Sequence, residues 1–164
     1  MAESWVMLCY RLPREPSTPR ITVWRKLRRL GVAQLADGLV TLPADARTRE
    51  QLEWIADEIV EAGGEASIWL ARPASAVQER DLAARMAAAR AAEYEAVIAA
   101  VGAVSAVGER EARRSGERLR GELRRIGRRD YFPPPQRDLA NAAVQALLAD
   151  AAAQETDTDV QEVS

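Results

Sequence analysis

The chain has 164 residues, of which 48% are hydrophobic and 29% are charged, so it can form one compact unit with a helical extension or two small subdomains. The absence of histidine excludes Ser-His-Asp and Cys-His catalytic arrangements and His-ligated metal sites, and the single cysteine excludes an intrachain disulfide. The formal charge of −2 is unevenly distributed, because the last 15 residues contain five acidic and no basic side chains.

The N-terminal sequence predicts a cytoplasmic protein. MAESWVMLCYRLPR has an acidic residue where a signal peptide has basic ones, and no run of about 18 uncharged apolar residues follows it. Cys9 is interpreted as a small, buried apolar residue. The glycines fit neither a dinucleotide fingerprint nor a nucleotide-binding loop, and we expect no cofactor and no bound metal.

The beginning of the chain predicts a strand followed by a helix. The apolar run at residues 5–10 is rich in strand-forming side chains, and three prolines in RLPREPSTP end it. The helix that follows has Ser17 or Thr18 as its N-cap, apolar residues at helical spacing, and Gly31 where a C-terminal glycine belongs. On this helix we expect Trp24 and Leu27 to be buried and Arg25 and Arg28 to be exposed.

The next segments complete a small sheet. Asp37-Gly38 lies between two short apolar segments and predicts a hairpin. A second helix is expected to begin at a Thr48 cap and to stop at the glycine pair 63–64, and EASIWLARP supplies a fourth strand. The order β-α-β-β-α-β predicts a ferredoxin-like α+β unit over residues 1–73.

The remainder of the chain predicts helices only. Periodic apolar residues indicate three helices at about 77–104, 109–128 and 137–153, which form a helical extension over residues 74–153 that we expect to pack on the first unit. The acidic tail, residues 154–164, is expected to be disordered.

Both faces of the predicted sheet carry apolar side chains, although two helices cover only one face. The other face must be covered by a second subunit or by the rest of the chain, and we expect a homodimer. Trp24, Trp54 and Trp69 lie in or beside apolar stripes and are interpreted as core residues.

Two regions are rich in basic side chains. Residues 20–29 contain no acid, and residues 110–129 contain nine arginines and three glutamates. Three interpretations of these regions remain open. They could contact the phosphates of a nucleic acid, they could be the ordinary solvated faces of amphipathic helices, or they could pair with acidic side chains, including those of the tail. The candidate nucleic-acid contacts are Arg20, Arg25, Lys26, Arg28, Arg29, Arg113, Arg114, Arg124, Arg125 and Arg128.

The motif RDYF, formed by Arg129, Asp130, Tyr131 and Phe132, precedes three prolines. We interpret it as a structural corner between two helices, with the aromatic side chains as anchors and Asp130 paired with a neighbouring arginine. The alternative is a ligand for a proline-binding domain.

The sequence resembles a known family. The stretch WVMLCYRLPREPSTPRITVWRKLRRLGVAQLADGLVTLPADARTREQLEWIADEIVEAGGEASIW strongly resembles the N-terminal domain of the chromate-resistance regulator (ChrB-like) family, and RDYF after an Arg-rich helix resembles the later part of that domain. More distantly, YRLP and the basic helix are similar to the middle domain of phenylacetate-type repressors and to the small ferredoxin-like nucleases of CRISPR adaptation. The resemblance implies a cytoplasmic regulator that represses chromate-efflux genes and responds to chromate.

The sequence favours a regulator over an enzyme. The nuclease relatives bind a metal through an aspartate at the end of strand one, where this chain has Cys9-Tyr10-Arg11-Leu12 and no carboxylate. We expect a non-enzymatic transcription regulator of a chromate or related stress response, which contacts duplex DNA. The alternative is a protein-interaction module, paired with a separately encoded partner that supplies the C-terminal domain common in the family. An open arginine surface favours the first hypothesis and a paired one favours the second.

Overall fold

The computed structural model describes residues 4–104 and 108–162, and for residues 109 and 155–162 it describes the backbone alone. The helices and strands over these ranges are β1 (Trp5–Arg11), α1 (Thr18–Leu30), β2 (Ala33–Ala36), β3 (Leu39–Pro43), α2 (Ala46–Glu61), β4 (Glu65–Ala71), α3 (Ala76–Val104), α4 (Glu109–Gly127) and α5 (Gln136–Glu162). The predicted α+β class is confirmed, with β-α-β-β-α-β followed by helices.

The four strands form one antiparallel sheet in the order β2-β3-β1-β4. β1 lies in the interior and pairs with β3 on one side and with β4 on the other. β2 and β4 are therefore the two edges of the sheet. This strand order, with one helix after β1 and one after β3, is the ferredoxin-like arrangement that the sequence predicted.

One face of the sheet forms the main core of the first part of the chain. Val6 and Leu8 of β1 lie opposite Leu42 and Val40 of β3, and all four side chains are fully buried. Cross-strand partners lie on the same face of a sheet, so these residues form one apolar layer. α2 contacts β1 and β4, and α1 contacts α2.

The beginning of α3 covers part of the other face. Trp5 and Thr41 are buried on that face, and together with Leu82 of α3 they line a cavity of about 570 Å³. One turn later, the guanidinium of Arg85 donates a hydrogen bond of 2.9 Å to the backbone carbonyl of Gln34 in β2. The rest of the chain thus supplies some of the cover that the second apolar face requires.

Three side chains that were interpreted as core residues are not fully buried. Trp54 on α2 is 61% exposed and Trp69 on β4 is 60% exposed, while Trp24 is half-buried. Cys9 was also expected to be buried and is exposed. These interpretations were wrong because Trp54 lies off the buried stripe of α2, and because Trp69 and Cys9 share a sheet face that is only partly covered.

Two helix ends differ from the sequence-based expectation. α2 begins before Thr48, because Asp45 is its N-cap: the Thr48 amide donates to Asp45 Oδ1 (2.7 Å) and the Asp45 amide donates to Thr48 Oγ1 (3.0 Å). At the other end of the chain, the backbone of α5 is helical as far as Glu162, so the helix includes residues 154–162, for which the sequence indicated disorder.

The chain divides into two compact units, Met1–Met86 and Ala87–Ser164, and the division falls inside α3 rather than near residue 73. In the second unit, α4 packs against α5, and residues of α3 join them in a buried apolar cluster. A Cβ atom on Gly116 of α4 would lie 2.6 Å from a methyl group of Leu148, so this glycine allows the two helices to approach closely.

Over the described ranges, no helix combines the length and the apolar composition that a bilayer crossing requires.

Candidate nucleic-acid interface

The basic side of α1 is directed to solvent by the apolar residues of the same helix. Val23 and Leu27 are buried and fix which side of α1 packs on the first unit. Because successive residues are rotated by about 100° around a helix, Arg25, Arg28 and Arg29 fall away from that side. All three are exposed, which confirms the expectation for Arg25 and Arg28.

The arginines of α1 form an open surface. Arg20, Arg25, Arg28 and Arg29 are exposed, and within the described ranges none of them forms an ion pair. Lys26 is different because it is half-buried, with Nζ 2.6 Å from Glu58 Oε2 of α2. The Lys26 ammonium group therefore forms an ion pair between α1 and α2 and does not belong to the open surface. We refer to Arg20, Arg25, Arg28 and Arg29 as the α1 arginine surface.

An open cleft of about 800 Å³ lies beside this surface, within the first unit. Its walls are the end of β1, the loop after it, one face of α1 and the turn between β2 and β3. The residues that give it chemical character are Tyr10, Arg11, Arg14, Arg20, Trp24 and Asp37. The cleft thus combines two aromatic side chains with three cations and one acid.

The cleft continues into the α1 arginine surface. Ser17, Arg20, Ile21 and Trp24 line it at spacings of three or four residues, as one helix face requires. Arg28 follows Trp24 by four residues and extends the same face. This stripe was the signal in the sequence that Trp24 faces a cleft and is not a core residue.

Electrostatics inside the cleft favour a neutral Tyr10 and a positive rim. Burial raises the pKa of the Tyr10 phenol, Arg20 opposes that rise and Asp37 adds to it. Arg11 contacts Glu65 at 2.8 Å, but both side chains are more than three-quarters exposed, so this pair is weak. An aromatic side chain beside exposed guanidinium groups can stack an unpaired base while the guanidinium groups hold phosphates.

The second basic region lies in the second unit, and more of its positive charge is neutralised by neighbouring glutamates than on α1. The candidate arginines of this region lie along or just after α4, and all five are exposed: Arg113, Arg114, Arg124, Arg125 and Arg128. Glutamates alternate with arginines along α4, so that ion pairs form within the helix. Arg125 Nε donates to Glu122 Oε2 at 3.0 Å, and Arg120 donates to Glu117 at 2.6 Å. Net positive charge is therefore less concentrated on α4 than on α1.

The RDYF motif ties the end of α4 to α3 within the second unit. Arg129 forms an ion pair with Glu93, and Asp130 Oδ2 accepts a hydrogen bond of 2.9 Å from the hydroxyl of the buried Tyr94. Burial, followed by this hydrogen bond, raises the pKa of Tyr94 to about 12. Tyr131 and Phe132 are half-buried. Sequence spacing could not identify Glu93 and Tyr94 as the partners, because both lie 36 residues earlier in the chain.

Side chains that could ligate a metal do not cluster: no group of three Cys, Asp or Glu residues in the described ranges is placed to hold a metal ion.

These features define a small α+β protein of ferredoxin-like type with appended helices, whose first unit carries a basic, aromatic-lined cleft. A family model described as Protein ChrB, N-terminal, matches residues 20–159, and the chain belongs to that family. Protein ChrB of Cupriavidus metallidurans is 27% identical over 161 residues, which correspond to 89% of this chain and 48% of that protein. The resemblance seen in the sequence is thereby confirmed, and the chain spans about half the length of this relative.

Proposed function

We propose that this chain is a non-enzymatic, cytoplasmic regulator of a chromate or related stress response, and that it contacts duplex DNA through α1. The observation that carries the proposal is the α1 arginine surface, whose four guanidinium groups are exposed and lack acidic partners in the described part of the chain. A merely solvated face usually mixes acids with bases, and residues 20–29 contain no acid.

The arrangement suits a phosphate backbone. Each arginine that neutralises a phosphate releases condensed counterions, so a small set of exposed guanidinium groups supplies substantial affinity without reading the sequence. The neighbouring cleft adds Arg11 and Arg14 as further cations, while Tyr10 and Trp24 would stack only on an unpaired base and do not carry the contact with a duplex. α4 is a secondary candidate, because part of its charge is balanced by its own glutamates.

The experiment compares two variants that lose the same charge. In the first, Arg25, Arg28 and Arg29 are replaced by Ala. In the control, Arg49, Arg80 and Arg137, which are exposed and lie outside α1, α4 and the cleft, are replaced by Ala. Binding to a labelled duplex is followed by fluorescence anisotropy at low salt. We expect the first variant to lose affinity by about tenfold or more and the control to lose much less.

Equal losses in the two variants would mean that only overall charge matters. An absence of binding by the wild type at low salt would favour the alternative, a protein-interaction module that pairs with a separately encoded partner.

The non-enzymatic part of the proposal is tested separately. The end of β1, Cys9 to Leu12, offers no carboxylate for a divalent metal. We expect the purified protein to leave RNA and DNA uncut in the presence of Mg²⁺ or Mn²⁺. Reproducible cleavage that is lost on mutation of one acidic residue would contradict this.

A further inference from the structure

β4 is an edge strand, and its residues 66–71 lack the charges and prolines that normally protect an edge. It pairs with β1 along its whole length, from Glu65↔Arg11 to Ala71↔Trp5, and no strand in the described part of the chain pairs with its other side. Residues 66–71 carry no charge and no proline. Natural edge strands commonly use such residues to prevent pairing with another chain.

The side chains at this edge are apolar and exposed on both faces of the sheet. Trp69 is 60% exposed and Leu70 is 58% exposed, and successive residues of a strand point to opposite faces. Val60 on α2 is 56% exposed and lies roughly 160° around the helix from Glu58, the residue that contacts α1. Val60 therefore lies on the flank of α2 away from α1.

The opposite edge of the sheet, β2, is short and partly occupied. β2 has four residues, and its register with β3 shifts between Gln34 and Ala36. Arg85 of α3 donates a hydrogen bond to the Gln34 carbonyl and so occupies a backbone acceptor of that strand. β2 is therefore less suited than β4 to accept another strand, and a sheet joined through two β4 strands has a β2 strand at each end.

We infer that β4 is a homodimer interface, in which two copies pair their β4 strands antiparallel across a two-fold axis and form one eight-stranded sheet. A second copy is the occupant that fits, because the strand is uncharged over residues 66–71 and its apolar residues match themselves. Centring the axis on Trp69 places Trp69 opposite Trp69 of the second copy and Leu70 opposite Ile68. This register covers more apolar surface than one centred on Ile68, where Trp69 would face Ser67.

The inference does not depend on nucleic acid, and its test contains none. Trp69→Lys adds a charge at the edge, whereas Trp54→Lys makes the same substitution at an equally exposed tryptophan on α2. Sedimentation equilibrium gives the association state of each, and circular dichroism verifies the fold. We expect a dimeric wild type, a dimeric Trp54→Lys variant, and a dimer dissociation constant raised at least about tenfold by Trp69→Lys.

Leu70→Lys provides a second edge variant if Trp69→Lys does not fold, and it should also weaken the dimer. A wild type that is monomeric at high concentration would overturn the inference. So would edge variants that dimerise as well as the wild type, or a dimer that only Trp54→Lys disrupts.

Discussion

Gly38 occupies a backbone position that no other residue can adopt without strain. Its φ is +70°, and a Cβ atom there would lie 2.2 Å from the Tyr10 carbonyl oxygen. The Gly38 carbonyl also accepts a 2.7 Å hydrogen bond from the Tyr10 amide, which joins the hairpin turn to the end of β1. The turn that forms one wall of the cleft is therefore held by this glycine.

We predict that Gly38→Ala lowers the free energy of unfolding of the first unit by about 3 kcal/mol or more, because an unfavourable φ and a backbone clash act together. Gly63→Ala is the control: Gly63 has φ +82°, but a Cβ atom there would meet no described part of the chain within 4 Å. Only the φ cost of about 1–2 kcal/mol remains in the control. Urea unfolding followed by tryptophan fluorescence measures both, because all four tryptophans lie in the first unit. Equal losses would contradict the clash.

The burial of individual side chains could be predicted where it depends only on which face of a helix they occupy. The periodicity of α1 correctly separates Leu27 from Arg25. It does not show that Lys26 pairs with Glu58, because that contact joins residues 32 apart. The exposure of Trp69 depends on how far α3 covers the second sheet face, which strand alternation cannot reveal.

At the scale of elements, the contact between α3 and the end of α4 depends on a protonated tyrosine. Tyr94 donates its hydroxyl hydrogen to Asp130 from a buried position, and its pKa is raised to about 12 from the ordinary value of 10. A folded-state pKa above the unfolded one means that this stabilisation is complete below about pH 10 and is lost as the pH rises toward about 12.

We therefore predict that the wild type loses more stability between about pH 9 and pH 12 than the Tyr94→Phe variant does, because only the wild type must keep Tyr94 protonated to stay folded. At neutral pH, Tyr94→Phe should cost about 1.5–3 kcal/mol, because the acceptor of the lost hydrogen bond is a carboxylate. Urea unfolding followed by far-UV circular dichroism at about pH 7, pH 9 and pH 12 measures the free energy of unfolding of both proteins. Parallel losses in the two proteins would show that Tyr94 is not responsible.

The type of each helix and strand could be predicted from local sequence signals, whereas the exact start of α2 depends on a pair of side chains. Proline, glycine and apolar periodicity located all four strands and the helices. The start of α2 was misplaced because a capping box uses two residues reciprocally, and Thr48 is its N3 member instead of its N-cap.

At the scale of the whole molecule, the formal charge of −2 is the sum of two units that differ in how their charged side chains are arranged. The α1 arginine surface belongs to the unit Met1–Met86, whereas the paired arginines of α4 and the acidic C-terminal residues belong to Ala87–Ser164. The cleft could not be predicted from the sequence, because its shape depends on how residues 10–24 fold back on themselves and on residues 34–38. Only its α1 wall was visible as a basic, acid-free stretch.

The salt dependence of DNA binding tests the central claim most directly. The logarithm of the binding constant falls with the logarithm of salt concentration by about 0.9 for each phosphate contact. We predict that replacing Arg25, Arg28 and Arg29 by Ala reduces this slope by about two to three, while the control without Arg49, Arg80 and Arg137 keeps the wild-type slope. Identical slopes in all three proteins would contradict the account and would mean that the α1 arginines are only the solvated face of a helix.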